Sequence, residues 1–309
     1  MKYRRLGKTS LRVSVVGLGA WQFGGAWGKD FTPGEVATIL DEAHAWGINL
    51  IDTAECYGPH LSEKLIGTYL KERGGRHDWV LATKFGHRWG AGDDGVDYWS
   101  AAAVRQELEE SLGALQTDYI DLYQFHSGID QIFDNEELWT MLIQQVQTGK
   151  VRHLGISIGS NDNLYQTQSA AKVGADVIQV VFNRLDRRAD ERVLPECRRQ
   201  DLGVLARVPL ASGYLSGKYR HGTTFPANDV RSRHDPQRTT RMLDEVERIA
   251  AHEVPAGVEM ATWALAWCLR NPAVTTVIPG CKSPEQVASN ARAADMDLAW
   301  RDHPQAWPD

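Results

Sequence analysis

The feature that most restricts what this chain can fold into is a strand-helix alternation repeated eight times. Short apolar runs stand at Val15–Gly19, Leu50–Asp52, Trp79–Lys84, Tyr119–Phe125, Val151–Ser157, Val177–Phe182, Gly203–Val208 and Thr275–Ile278. Their length suits buried strands better than helices. They are also too apolar to leave one face in water, so they read as a parallel sheet covered by helices. Eight such units in 309 residues fit a closed (β/α)₈ barrel of the TIM type, which takes ~250 residues plus insertions. Ahead of them, Lys2–Leu6, the polar turn Gly7-Lys8-Thr9-Ser10 and Leu11–Val13 read as a β-hairpin, expected to plug the N-terminal end of the barrel. No internal repeat or low-complexity linker divides the chain, so residues 1–309 read as a single domain.

Helix signals fall between the strands. Thr32-Pro33-Gly34-Glu35 offers a Thr cap, Pro at the first helical position and Glu three residues after the cap, and Gly47 ends that helix. Further helices are expected over Ser62–Arg73, after Ser100, and over Asn135–Gln147, Asp162–Lys172 and Glu191–Gln200. Two more, at about Thr240–His252 and Val258–Leu269, follow an insertion rich in Gly, Arg and Pro, and Pro284–Ala293 is the last. The rival architecture is a doubly wound dinucleotide fold. Gly17-Leu18-Gly19-Ala20-Trp21-Gln22 supplies G-x-G, but Gln stands where the third glycine belongs and a Gly/Trp loop follows instead of a helix.

A formal charge of -6, with acids and bases interleaved, excludes an electrostatic footprint for nucleic acid. Cys56, Cys197, Cys268 and Cys281 are widely spaced, which argues against a disulfide framework or structural zinc. The N-terminal residues lead into no apolar signal core and no run reaches the ~18 residues of a spanning helix. A cytoplasmic location with no membrane partner is the expectation.

In a barrel of this kind reactive groups sit at the C-terminal ends of strands. Strand two ends at Asp52, with Tyr57 on the loop behind it; strand three ends at Lys84; strand four ends at His126. A phenol has an ordinary pKa near ~10 and is a poor acid near neutrality until something stabilises its anion. A buried ammonium at Lys84 would do that, with Asp52 keeping it charged. His126 could donate a hydrogen bond to a carbonyl oxygen. Such a set suits proton delivery to an oxygen that turns negative as hydride reaches the adjacent carbon, and it needs no metal.

These residues, in this order, resemble the catalytic tetrad of the aldo-keto reductase superfamily. The matching stretches are Ile51-Asp52-Thr53-Ala54 with Tyr57-Gly58, Thr83-Lys84, and Tyr123-Gln124-Phe125-His126. The resemblance continues through Lys150–Ser157, Gln179, Pro209-Leu210, Gly213–Lys218 and Val277–Gln286, with Asn290 a helical turn later. It is similar to bacterial members related to the potassium-channel β-subunit-like branch. It implies that Tyr57 is the proton donor, tuned by Lys84 and Asp52, while His126 orients a small carbonyl or alcohol substrate. It further implies a nicotinamide cofactor, with Ser157 and Gln179 on the carboxamide and Gly19, Ala20 and Trp21 along the ring. Pro209, Leu210, Ser212 and Lys218 would follow the pyrophosphate, and Gly280, Lys282, Gln286 and Asn290 would surround the adenosine. Lys282 ahead of a helix N-terminus favours NADPH over NADH. Trp21, Trp27 and Trp89, on loops over the strand ends, are candidates for the substrate wall.

Four positions depart from the family pattern. Ile158 follows Ser157 where Asn is common, Arg207-Val208 precede Pro209 where many members have an aromatic residue and Ser, and Ser289 stands where some use Glu. Arg207 could lie flat against a ring or reach a phosphate. Lys218, Arg220, Arg231 and Arg233 lie on the loop Tyr214–Arg233, which could close over the cofactor as a clasp or stay a solvated loop. Two alternatives to a carbonyl reductase stay open: a nicotinamide-sensing regulatory subunit, and a metal-dependent isomerase barrel, which would want more carboxylate ligands than these strand ends supply. The oligomeric state is not legible.

Overall fold

The computed structural model describes residues 1–87, 98–297 and 300–307. A two-stranded hairpin, β1 (Tyr3–Arg5) and β2 (Arg12–Ser14), precedes eight parallel strands. These are β3 (Leu18–Gly19), β4 (Leu50–Asp52), β5 (Val80–Phe85), β6 (Ile120–His126), β7 (Val151–Ser157), β8 (Ala175–Val181), β9 (Gly203–Arg207) and β10 (Thr276–Val277). Neighbours in sequence are neighbours in the sheet from β3 to β10. The two ends meet through parallel bridges, Val16 to Val277 and Gly19 to Gly280, so the barrel expected from the alternation closes. The first expected strand is shorter than its apolar run. Residues 15–17 complete the seam instead, with Gly17 N donating to Val277 O (2.8 Å) and Val277 N to Val15 O (3.0 Å).

The helices are α1 (Pro33–Ala45), α2 (Leu61–Arg73), α3 (Ala101–Leu115), α4 (Asp130–Phe133), α5 (Glu136–Gln147), α6 (Leu164–Gln168), α7 (Val193–Gln200), α8 (Pro236–His252), α9 (Met260–Leu269) and α10 (Pro284–Ala291). The Thr32/Glu35 capping box forms as its spacing predicts: Thr32 N donates to Glu35 Oε2 (2.9 Å) and Glu35 N to Thr32 Oγ1 (3.3 Å). Helix α2 starts one residue early, at Leu61 after a left-handed His60. Ser62 does not cap it, because its buried hydroxyl is held by Thr53 Oγ1 (2.8 Å) and Ala20 O (2.9 Å). Helix α8 starts at Pro236 instead of Thr240, capped by Asp235, and the segment expected as one helix over 162–172 splits into α6 and a 3₁₀ turn, Ala170–Val173.

The hairpin plugs the lower end. Leu6, Leu11 and Val13 pack with the inward Leu50, Val80, Ala82, Leu122, Val177, Leu205 and Ile278 in one buried cluster. Contact there is backbone to backbone: a Cβ on Gly7, which has φ +60°, would come 2.0 Å from Gly203 N, so only glycine fits this left-handed position. Arg4, buried beside it, pairs with Asp297 at 2.6 Å and donates to Val274 O at 2.7 Å. A larger cluster fills the layer between strands and helices, and a third holds α8 and α9 against residues 211–215. Among the described residues no helix is long and apolar enough to cross a membrane.

Candidate active site

Side chains alternate across a strand with period two, so the residue two steps above each inward aliphatic also points inward. Above Leu50 comes Asp52, above Ala82 Lys84, above Leu122 Gln124, above Val177 Gln179 and above Leu205 Arg207. The barrel interior therefore has an aliphatic layer below and a polar layer above. On β7 the inward position is Gly155, where a Cβ would lie 3.0 Å from Gln124 Cγ. That vacancy is what lets the Gln124 side chain lie across the barrel.

Lys84 is at the centre and has no exposed surface. Its Nζ donates to Asp52 Oδ2 (2.8 Å), Thr53 O (2.6 Å) and Tyr57 OH (3.2 Å). Asp52 Oδ1 in turn accepts from Gln124 Nε2 (3.1 Å) and Gln179 Nε2 (2.7 Å). Burial alone would lower the Lys84 pKa, but Asp52 and Tyr57 outweigh it and hold the ammonium above its ordinary value. Burial pushes the Tyr57 phenol up to about 12, with Lys84 pulling the other way. The sequence-predicted trio of Asp52, Tyr57 and Lys84 is thus one hydrogen-bonded unit, and Tyr57 opens onto a large cleft.

His126 completes the group, its ring 6.3 Å from that of Tyr57 and nearly perpendicular to it. Burial, followed by the charges of Lys84, His87 and Arg207, keeps it neutral by holding its pKa well below the usual value. Two neighbours at Nδ1 had no role in the sequence reading: Cys56 Sγ at 3.8 Å and Glu55 Oε1 at 3.9 Å. Glu55 is buried and also accepts from His87 N at 3.0 Å. Burial and the nearby Glu107 raise its carboxyl well above the ordinary range. Of the residues given no role, Gln124 carries a legible signal, an amide in the otherwise apolar inward register of β6; Glu55 and Cys56, on the turn after β4, carry none.

The cleft measures about 1090 Å³ and runs from Tyr57 and His126, past Arg207 and Pro209, to the start of α10. Of the sequence-predicted groups, Gly19, Ala20, Trp21, Asp52 and Gln179 line the inner end, and Leu210, Ser212 and Lys218 the middle. Gly280, Lys282, Gln286 and Asn290 line the outer end. Ser157 does not line it: its hydroxyl is buried just below, without a hydrogen-bond partner. Gln179 does line it, but turns its amide nitrogen inward to Asp52. Arg207 donates from Nη2 to Ile158 O at 3.1 Å, and its Nε is buried without a partner among the described residues. Trp21 stacks on Tyr57 (centroids 5.8 Å apart) and Trp27 packs edge-on against Trp21 at 5.0 Å. Trp89 lies outside the described residues.

Two features mark the middle of the cleft. Val208, Ala211 and Ser212 all have positive φ (54°, 48° and 57°), a strained backbone for such residues. The loop expected as a clasp does cross the cleft. Val230 N donates to Ala26 O (3.0 Å) and Lys282 Nζ to Trp27 O. Arg231 holds Asp229 through two hydrogen bonds (2.8 and 2.6 Å), Tyr219 OH (2.6 Å) and Ser212 O (3.4 Å). At the outer end, the cap of α10 and Lys282 add positive potential. A cleft this size exceeds the ~300–1,000 Å³ of an ordinary small-ligand pocket, and with orphaned polar atoms at Ser157 and Arg207 it fits a dinucleotide.

The fold and this site define a barrel oxidoreductase, and comparison with known proteins places it more narrowly. Residues 15–305 match the model of the aldo/keto reductase family, and the chain belongs to that family. It is 34% identical over 301 residues to the uncharacterized oxidoreductase YqkF of Bacillus subtilis (strain 168), covering 96% of this chain and 92% of that protein. It is 30% identical over 316 residues to the NADH-specific methylglyoxal reductase of Escherichia coli (strain K12), covering 97% and 95%. Among solved structures, aldo-keto reductase AKR11C1 from Bacillus halodurans in its holo form superposes with a TM-score of 0.78 at 31% identity, covering 96% of this chain and 91% of that one. The family uses nicotinamide cofactors and acts on small carbonyl compounds. The chain is accordingly an oxidoreductase, and these relatives do not favour the regulatory-subunit alternative.

Proposed function

We propose that the chain is an NADPH-dependent reductase of small aldehydes or ketones, reversible toward alcohol oxidation, with Tyr57 as general acid. The observation that carries this reading is the Lys84 ammonium. It is fully buried and reaches Asp52 and Tyr57 OH together, at 2.8 and 3.2 Å. When bound, a reduced nicotinamide supplies the hydride. Tyr57 gives its proton to the substrate oxygen, and Lys84 stabilises the phenolate left behind. His126, neutral, donates an N–H to the same oxygen and orients it. Ser157, Gln179 and Arg207 hold the inner end of the cofactor, and Pro209, Leu210 and Ser212 its diphosphate. Trp21 and Trp27 wall the substrate.

The preference for NADPH rests on Lys282. Burial and the neighbouring Arg231 lower its pKa, Asp229 opposes them, and Lys29 and Lys218 act with Arg231, so cations outnumber the one acid among the charges acting on Lys282 at the outer end, where a 2′-phosphate would lie. The Escherichia coli relative is described as NADH-specific, which makes side-by-side assays with both cofactors the direct check. Tyr57→Phe should keep NADPH binding and lose turnover by about 10²–10⁴-fold. Turnover at the parent rate in that variant would remove the proton-donor role.

A further inference from the structure

The groups around His126 Nδ1 have no part in the reaction above, and they stand close enough to one another to converge on a metal ion with a small contraction. A zinc ion with a thiolate at ~2.3 Å and nitrogen or oxygen ligands at ~2.0–2.2 Å sets its tetrahedral ligand atoms about 3.4–3.6 Å apart. Cys56 Sγ stands 3.8 Å from His126 Nδ1, and Glu55 Oε1 stands 3.9 Å from the same nitrogen. All three ligand atoms lie within 4.8 Å of one another. A second observation is independent of that spacing. Glu55 is 2% exposed; its Oε1, the oxygen nearer His126, accepts only from His87 N, and among the described residues its Oε2 has no hydrogen-bond partner, so the buried carboxyl keeps a free oxygen to offer an ion, an arrangement that otherwise costs free energy.

We propose that Glu55, Cys56 and His126 bind a thiophilic divalent cation such as Zn²⁺, which seizes His126 and stops turnover. The ion enters from the cleft, since Cys56 and His126 both border it, and a water from the cleft completes the tetrahedron. Binding displaces the Cys56 thiol proton and the Glu55 carboxyl proton to solvent, and no electron is transferred. His126 is already in the neutral form that ligates metals. A soft thiolate beside an imidazole selects Zn²⁺, Co²⁺ or Cd²⁺ over the hard, oxygen-seeking Mg²⁺ and Ca²⁺. With Nδ1 ligated, the ring is fixed to the ion and is no longer free to follow a carbonyl oxygen.

The test uses the full chain, with Co²⁺ as spectroscopic probe and Zn²⁺ as competitor. One Co²⁺ per chain should bind and give a thiolate-to-cobalt charge-transfer band, which Zn²⁺ bleaches. Cys197, Cys268 and Cys281 are fully or almost fully buried, so the band reports Cys56. Cys56→Ala should abolish it. That variant and Glu55→Gln should each weaken Zn²⁺ by more than the roughly 10–100-fold that a hydrogen-bonding partner of a metal ligand is worth. Parent protein alkylated at its accessible thiol serves as the control should Cys56→Ala fold poorly. No band in the parent, or a band that persists in Cys56→Ala and the alkylated protein, overturns the site. Only the inhibition arm rests on the carbonyl-reductase reading: Zn²⁺ should stop aldehyde-dependent NADPH oxidation, and EDTA should restore it. Full turnover with Zn²⁺ bound overturns the capture of His126. If the metal-free protein has no turnover, that reading falls and the cobalt spectrum still decides the site.

Discussion

Replacing Lys84 with methionine keeps the length of the side chain and removes its charge from the middle of the polar layer. The parent ammonium sits 2.8 Å from Asp52 Oδ2, with side-chain exposures of 0% and 4%. At that separation the Coulomb attraction is roughly 6 kcal/mol for an effective dielectric of about 20. Gln124 and Gln179 remain as donors to Asp52 Oδ1 and retain part of the carboxylate's solvation. The expected loss is therefore the about 3–5 kcal/mol typical of a buried charge stripped of its partner. With an unfolding entropy of about 2.1 cal/mol/K per residue, the whole chain gives about 0.65 kcal/mol/K, so Tm should fall by about 5–8 °C. The companion variant is Lys84→Met with Asp52→Asn, which leaves no stranded charge. It should be at least as stable as Lys84→Met alone, a coupling of opposite sign to the single losses. Differential scanning calorimetry of the parent, both singles and the double reads the whole cycle. A Tm unchanged in Lys84→Met, or a double variant that falls by the sum of the singles, would refute the reasoning.

The remaining predictions concern pH, the plug and the clasp. With the Tyr57 phenol pushed up to about 12, reduction should be insensitive to that group from pH 6 to 10. Alcohol oxidation, which needs the phenolate, should rise about tenfold per pH unit up to pH 10; a plateau near neutrality in a pH–rate profile would contradict this. Burial lowers His303 to about 3, so the unfolded chain takes up a proton there first. The stability this histidine contributes is complete above its unfolded pKa of about 6.5 and is lost as pH falls from there toward 3. His303→Gln should therefore flatten the acid limb of unfolding free energy against pH by up to about 1.4 kcal/mol per pH unit, read from denaturant melts across that range. Gly7→Ala should cost about 3 kcal/mol or more, because its new Cβ meets Gly203 N at 2.0 Å; a melt within a degree of the parent would exclude the close approach. Arg231→Ala should speed NADPH release by about tenfold, the loss expected for a buried charged hydrogen-bonding group, and stopped-flow nicotinamide fluorescence would detect it.

Much of this was legible from the chain alone, for identifiable reasons. Strand order follows from alternation because each parallel connection places the next strand beside the last. Asp52, Lys84 and His126 were found because a titratable residue ends an apolar run, and Tyr57 because it follows one at loop distance. Gln124 and Glu55 were given no role, since an amide or acid inside a motif looks like filler until the barrel turns it inward. The helix expected from Ser62 starts at Leu61, and what the Ser62 hydroxyl does there, bonding to Thr53 and Ala20, is a tertiary fact. Arg207's bond to Ile158 O could not be foreseen, since it reaches from the end of β9 across the top of β8 to the residue after β7. The split of the helix expected over 162–172 reflects packing that local propensity does not encode.

The stacking of an aliphatic storey beneath a polar one has a consequence for how such a molecule can change. Leu50, Leu122, Val177 and Leu205 pack with the hairpin in one cluster below the hydrogen-bonded groups, so volume-conserving exchanges among them should alter melting behaviour more than the placement of the reacting groups. Asp52, Lys84, Gln124 and Gln179 form a single bonded set, and no member can drift alone. Variation in substrate taste is thereby pushed outward to the rim loops, where a new side chain disturbs neither storey.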